Sequence, residues 1–228
     1  MANAKDHFSQ AVVSKSLILL VSVVVNINRC MLLGTFMLNR PNDATLPNLI
    51  LAGMMGTGKS ALGRQLAHRW QRPFIDTDDL VEKLGGASIA DIFAQQGEEH
   101  FRALERKVIE ELIPASGAII ACGGGLVVPE GMADLVRSKG VVITLFASVD
   151  TIIRRTANTS RRPLLKGDDP EVKIRELMKK REKAYMSAGI AVYTDGRTVQ
   201  QLCLNIERVY EREVFRIKQD AARKLKED

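Results

Sequence analysis

The sequence predicts an α/β protein with a five-stranded parallel sheet flanked by helices. Three observations predict it. From Pro47 onward, short apolar runs alternate with segments whose apolar residues recur at helical spacing. A glycine-rich octet stands between the first such run and the first such helix. Two aspartates close the second run, where open parallel sheets bind their ligands.

The elements follow in order. Residues 49–52 form the first strand, and Ala61, Leu62, Leu66 and Ala67 give the next segment its helical spacing. A short second strand over 73–75 leads into a helix starting near Asp79. Ser88 with Asp91 marks the next helix start, ahead of Ile89, Ile92 and Phe93. Gly97 separates it from a longer helix carrying Phe101, Leu104, Val108 and Leu112 on its apolar face. Strands over 118–122, 141–146 and 190–193 complete the sheet. The last helix runs from Val199 to about Lys226, with Leu202, Ile206, Val209 and Tyr210 apolar before the chain becomes a charged, solvated tail.

The octet Gly53-Met54-Met55-Gly56-Thr57-Gly58-Lys59-Ser60 fits the phosphate-loop pattern, and strand, glycine loop and helix is the setting that pattern needs. Glycines let backbone N–H groups curl around phosphate oxygens, a lysine reaches the β- and γ-phosphates, and a hydroxyl ligates Mg²⁺. The chain is therefore expected to bind a nucleoside triphosphate. Phe74-Ile75-Asp76-Thr77-Asp78 puts two carboxylates on one face of an extended segment, towards a transferred phosphoryl group. The alternative, that one aspartate only caps the following helix, stays open.

Composition excludes other classes. The three cysteines, Cys30, Cys122 and Cys203, are widely spaced and odd in number, which argues against a disulfide framework or a zinc site. His7, His68 and His100 have no metal-ligand spacing, and Cys122 reads as a small buried apolar residue. Between Ile152 and Lys183 eleven basic side chains face five acidic ones, which accounts for the whole net charge of +6. With no aromatic residue interleaved, that stretch suits small polyanions better than nucleic acid. Residues 1–46 differ from the rest: the apolar run 17–25 behind Lys15 is too short to span a membrane. Two readings of it stay open, a dispensable extension with Met31 or Met37 as the start, and a targeting, membrane-associating or packed helix.

The octet, the Asp76-Thr77-Asp78 step, Ser88-Ile89-Ala90-Asp91-Ile92-Phe93, Gly97-Glu98-Glu99-His100-Phe101-Arg102-Ala103-Leu104-Glu105, Cys122-Gly123-Gly124-Gly125 and Arg162-Pro163-Leu164-Leu165 resemble shikimate kinases in order and spacing, from about residue 49 to 210. The resemblance implies a P-loop kinase fold with a lid over about 156–170, between an extension (1–46) and a charged tail (211–228). It implies transfer of a phosphoryl group from MgATP to shikimate, giving shikimate 3-phosphate and ADP. Lys59, Asp78 and Arg162 would be catalytic, with Asp78 at the reacting hydroxyl. The residues 53–60, Arg155 near the adenine and Arg162 would bind ATP. Arg102, Arg181 and the triplet Gly123, Gly124 and Gly125 would hold shikimate with Asp78, and Glu105 would orient an arginine. Ser60 and Asp76 would serve Mg²⁺. The chain is also expected to be a cytoplasmic monomer acting on small molecules, with no nucleic-acid or membrane partner. Two alternatives remain beside it: a related kinase acting on gluconate or a nucleoside monophosphate, and a kinase-like binding module without turnover.

Overall fold

The computed structural model of the chain describes residues 46–156 and 170–227. The apolar run 17–25, Met31, Met37, Cys30, His7, and Arg162 with most of the expected lid lie outside the described residues.

Strand β1 (Asn48–Gly53) is buried along its whole length at the centre of a five-stranded sheet of order β2-β3-β1-β4-β5. Its partners are β3 (Ile119–Ala121) and β4 (Gly140–Phe146), with β2 (Phe74–Asp76) and β5 (Ile190–Tyr193) at the edges, and every pairing is parallel. The expected strand count, direction and approximate positions hold. The second strand is shifted by one residue and ends on Asp76 itself.

The alternation of side chains along β1 divides the core. Ile50 and Ala52 pack on one face with Ile109, Leu126, Met132, Ile152, Ile174 and Tyr185. Leu49 and Leu51 pack on the other with Leu62 and Leu66 of α1 (Lys59–Trp70) and Leu202, Ile206 and Tyr210 of the last helix. Both faces of the sheet are thus covered, as a parallel sheet requires. Buried Asn48 ties the strand entries together: its amide donates to Pro114 O and Lys139 O, and its carbonyl accepts from Ala118 N.

Two helices behave as the sequence predicts. Ser88 caps α3 (Ile89–Lys107), accepting from Asp91 N, and Gly97 interrupts that helix with φ 79° and ψ 177°. The short helix α2 (Thr77–Gly85) precedes it. The continuation of α3 differs from expectation. Residues Val108–Leu112 form a π-helical turn, and Leu112, expected on the apolar face, is 44% exposed while Ile109 and Ile113 are buried. The wider turn shifts the register and the helix ends there, so an extended Ile113 is buried in place of Leu112. Helices α4 (Met132–Ser138), α5 (Val149–Thr156), α6 (Pro170–Ala188) and α7 (Val199–Glu227) complete the described fold.

Candidate active site

The sequence order and the sheet order part company at β1: the chain leaves β1 for β2 and β3 on one side and then crosses to β4 and β5 on the other. A crevice opens at such a reversal, beyond the carboxyl ends of the strands. The glycine loop after β1 and the glycine triplet after β3 lie side by side there.

The loop is fixed by its own geometry. Gly53 has φ 125°, and a Cβ at that position would run into Leu145 O of β4, so only glycine lets the strand turn there. The Met54 carbonyl accepts from Thr57 Oγ1 at 2.7 Å and from Lys59 Nζ at 2.9 Å. Ser60, in the first turn of α1, donates from Oγ to Asp76 Oδ2 at 2.8 Å, placing a hydroxyl and a carboxylate together at the strand ends. Asp76 also caps α2 by accepting from Asp78 N with its other oxygen. The capping reading thus holds for Asp76 alongside its contact with Ser60.

Asp78 faces the triplet. A Cβ on Gly123 would collide with Asp78 Oδ1, and one on Gly125 would lie 3.1 Å from Arg102 Nη1. One on Gly124 would lie 3.3 Å from Met55 N of the phosphate loop. The triplet therefore touches, through bare backbone, the aspartate, the arginine and the loop, and side chains would fill that space. Arg102 donates from Nη1 to buried Glu105 at 2.6 Å and from Nε and Nη2 to exposed Glu98. From α6, Arg181 reaches Gly124 O at 3.5 Å.

Burial and a second carboxylate set the electrostatics. Desolvation, reinforced by neighbouring Asp76 and opposed by Lys59, pushes the Asp78 carboxyl up to about 6. Burial pushes Glu105 up to about 7 against the pull of Arg102. The adjacent Cys122 thiol is pushed up to about 12 by burial, which leaves it an inert packing residue.

The structure brings Lys59, Ser60, Asp76, Asp78, Arg102, Arg181 and the triplet around one crevice. Arg155 stands further along the loop: its Nη1 lies 3.3 Å from both Gly56 O and Thr57 O and 3.1 Å from Thr194 Oγ1, joining the phosphate loop to the segment after β5. Sequence reasoning missed Thr77, which accepts from Gly123 N, Tyr185, which donates to Gly124 O, and Glu98. The i, i+4 spacing of Glu98 to Arg102 is a signal that could have found the last of these. Among the described residues no cluster of His, Cys, Asp and Glu has the form of a metal site, and no helix is long and apolar enough to cross a membrane.

The comparisons agree on one family. A family profile described as "Shikimate kinase" matches residues 55–211. The shikimate kinase of Caldanaerobacter subterraneus subsp. tengcongensis is 39% identical over 165 residues, 72% of this chain and 96% of that protein. That of Deinococcus radiodurans is 43% identical over 162 residues, 71% of this chain and 81% of its own. Among solved structures, shikimate kinase from Acinetobacter baumannii in complex with shikimate aligns with a TM-score of 0.70 at 34% identity, covering 74% of this chain and 96% of that one.

Proposed function

The chain belongs to the shikimate kinase family, and from that premise we propose that it transfers the γ-phosphoryl group of ATP to a hydroxyl of shikimate. One observation carries the reading to the residues. The triplet after β3 packs its bare backbone against Asp78, Arg102 and the phosphate loop at once, which sets an acceptor site beside a nucleotide site.

Phosphoryl transfer asks the protein mainly for alignment and charge stabilisation. The loop 53–60 cradles the phosphates with its N–H groups, and Lys59 exchanges the Met54 carbonyl for phosphate oxygens. Arg162 would neutralise charge on the transferring group, and Arg155, held against the phosphate loop, would serve the adenine. Asp78 takes the proton of the acceptor hydroxyl; a carboxyl near 6 is mostly ionised at neutral pH yet basic enough to accept. Arg102 and Arg181 grip the shikimate carboxylate, for which a planar guanidinium offers two parallel donors. The oxygens of Ser60 and Asp76, 2.8 Å apart, are hard donors of the kind Mg²⁺ takes, and they would hold it. When bound, the ion neutralises charge on the β- and γ-phosphates. A cytoplasmic monomer completes the reading.

The test is coupled ADP release with a panel of acceptors. ADP release that requires shikimate, with gluconate and nucleoside monophosphates inactive, is the expected result. A preference for gluconate, or a rate independent of any acceptor, would refute it.

A further inference from the structure

The triplet Gly123-Gly124-Gly125 has no side chains with which to hold its own backbone, and glycine peptides rotate at little cost. Its position is set by what bonds to its peptide groups. Backbone turn bonds run from Leu126 N to Gly123 O and from Val128 N to Gly125 O, Arg181 reaches Gly124 O at 3.5 Å, and two buried side chains from distant parts of the chain add shorter bonds. Gly123 N–H donates to Thr77 Oγ1 at 2.8 Å, and Tyr185 Oη donates to Gly124 O at 2.5 Å. Thr77 is fully buried and Tyr185 is 3% exposed, so water does not replace either bond cheaply.

Each of the two is paired in sequence with a residue of the acceptor site. Thr77 stands between Asp76 and Asp78, so its bond ties the turn that carries the aspartates to the triplet. Tyr185 lies one helical turn beyond Arg181 on α6, and both side chains reach the same Gly124 carbonyl. The Tyr185 ring stands edge-on to Phe146, with centroids 6.4 Å apart and an interplanar angle of 86°, which fixes the direction of the hydroxyl. With Asp78 against Gly123 and Arg102 against Gly125, a displacement of the triplet changes the space left for a ring between them.

We infer that Thr77 and Tyr185 are positioning residues for the acceptor: they suspend the glycine triplet between the aspartate turn and α6, and so set the width of the shikimate site without touching the substrate. The inference rests on the proposed function. It assigns them no part in nucleotide binding, since neither bonds to the loop 53–60 in the contacts described above.

Steady-state kinetics of Tyr185→Phe, Thr77→Val and Thr77→Ser test it, with both substrates varied. Loss of one hydrogen bond to the triplet is expected to raise the KM for shikimate about fivefold to tenfold in Tyr185→Phe and in Thr77→Val. The KM for ATP stays at the wild-type value, and Thr77→Ser, which keeps the hydroxyl, restores the shikimate KM. Either deletion variant decides alone if the other does not fold. The inference is overturned if the shikimate KM is unchanged, if both KM values rise together, or if Thr77→Ser is as impaired as Thr77→Val. A wild-type enzyme that does not phosphorylate shikimate would overturn the functional reading instead, and the inference with it.

Discussion

Arg102 divides its donors between two carboxylates of unequal character. Glu105 is 2% exposed and bonds Nη1, whereas Glu98 is 67% exposed and bonds Nε and Nη2. An exposed i, i+4 pair contributes only about 0.3–0.5 kcal/mol, so Glu98 yields its side of the fork readily to a substrate carboxylate. Arg102→Ala is therefore expected to raise the KM for shikimate with little change in kcat, because a carboxylate grip serves ground state and transition state alike. Arg162→Ala is expected to do the reverse and lower kcat by a factor on the order of 10³, the scale for an arginine that stabilises transferring phosphoryl charge. Kinetics of the two variants check the contrast; an unchanged shikimate KM in Arg102→Ala would move the carboxylate site elsewhere. Glu105 yields a prediction in pH. Its carboxyl is raised from 4.5 to about 7 by burial, so the folded chain binds the extra proton between those values. The stability this confers is full below pH 4.5 and is lost as pH rises through 7. Thermal melts of Glu105→Gln should show a smaller loss over that window than wild type, and an equal loss would contradict the assignment. Much of this site was legible because phosphate loops, paired aspartates and arginines carry their chemistry in the side chain. Thr77 and Tyr185 were not, since their partners are backbone groups 46 and 61 residues away, and no spacing in the sequence announces such a bond.

At the scale of elements, the helix after Gly97 shows where periodicity stops being a guide. Phe101, Leu104 and Val108 obey the α-helical interval, and Leu112 would extend it by four more residues. The π-helical turn shifts the register, and the helix ends there: Ile113 is extended and buried, just before Pro114 accepts from Asn48. Ile109→Ala should cost about 2–5 kcal/mol as a buried large-to-small change, whereas Leu112→Ala should lie within about 0.5 kcal/mol of wild type. Denaturant melts separate the two cases, and equal costs would show that the turn is α-helical. The strands were easier to read. Each is a short apolar run with a turn signal at its end, and in a sheet covered on both faces such runs have few alternatives. Strand ends moved by one residue: β1 adds Asn48 and Gly53, β4 adds Gly140, and Asp76 both ends β2 and caps α2.

For the whole molecule, alternation of strand and helix implied a parallel sheet, but the order β2-β3-β1-β4-β5 was not readable. Pairing is decided by long-range packing, and a lone sequence carries no local record of it. The order matters because it places the loop after β1 beside the triplet after β3. Every described contact of the site lies between Gly53 and Thr194, inside or next to the 55–211 match. Removal of residues 1–36 is accordingly expected to leave kcat and both KM values unchanged, and a large loss of activity would contradict the account of a site complete within that stretch. From Phe215 to Lys226 the side chains of α7 are exposed, so a cut after Val214 should be equally mild. The most direct test of phosphoryl transfer to shikimate is ³¹P NMR of the full-length enzyme with MgATP and shikimate. The account predicts one new phosphomonoester signal that grows in step with ADP and is absent without shikimate. Inorganic phosphate growing in step with ADP, with no new phosphomonoester, would contradict it.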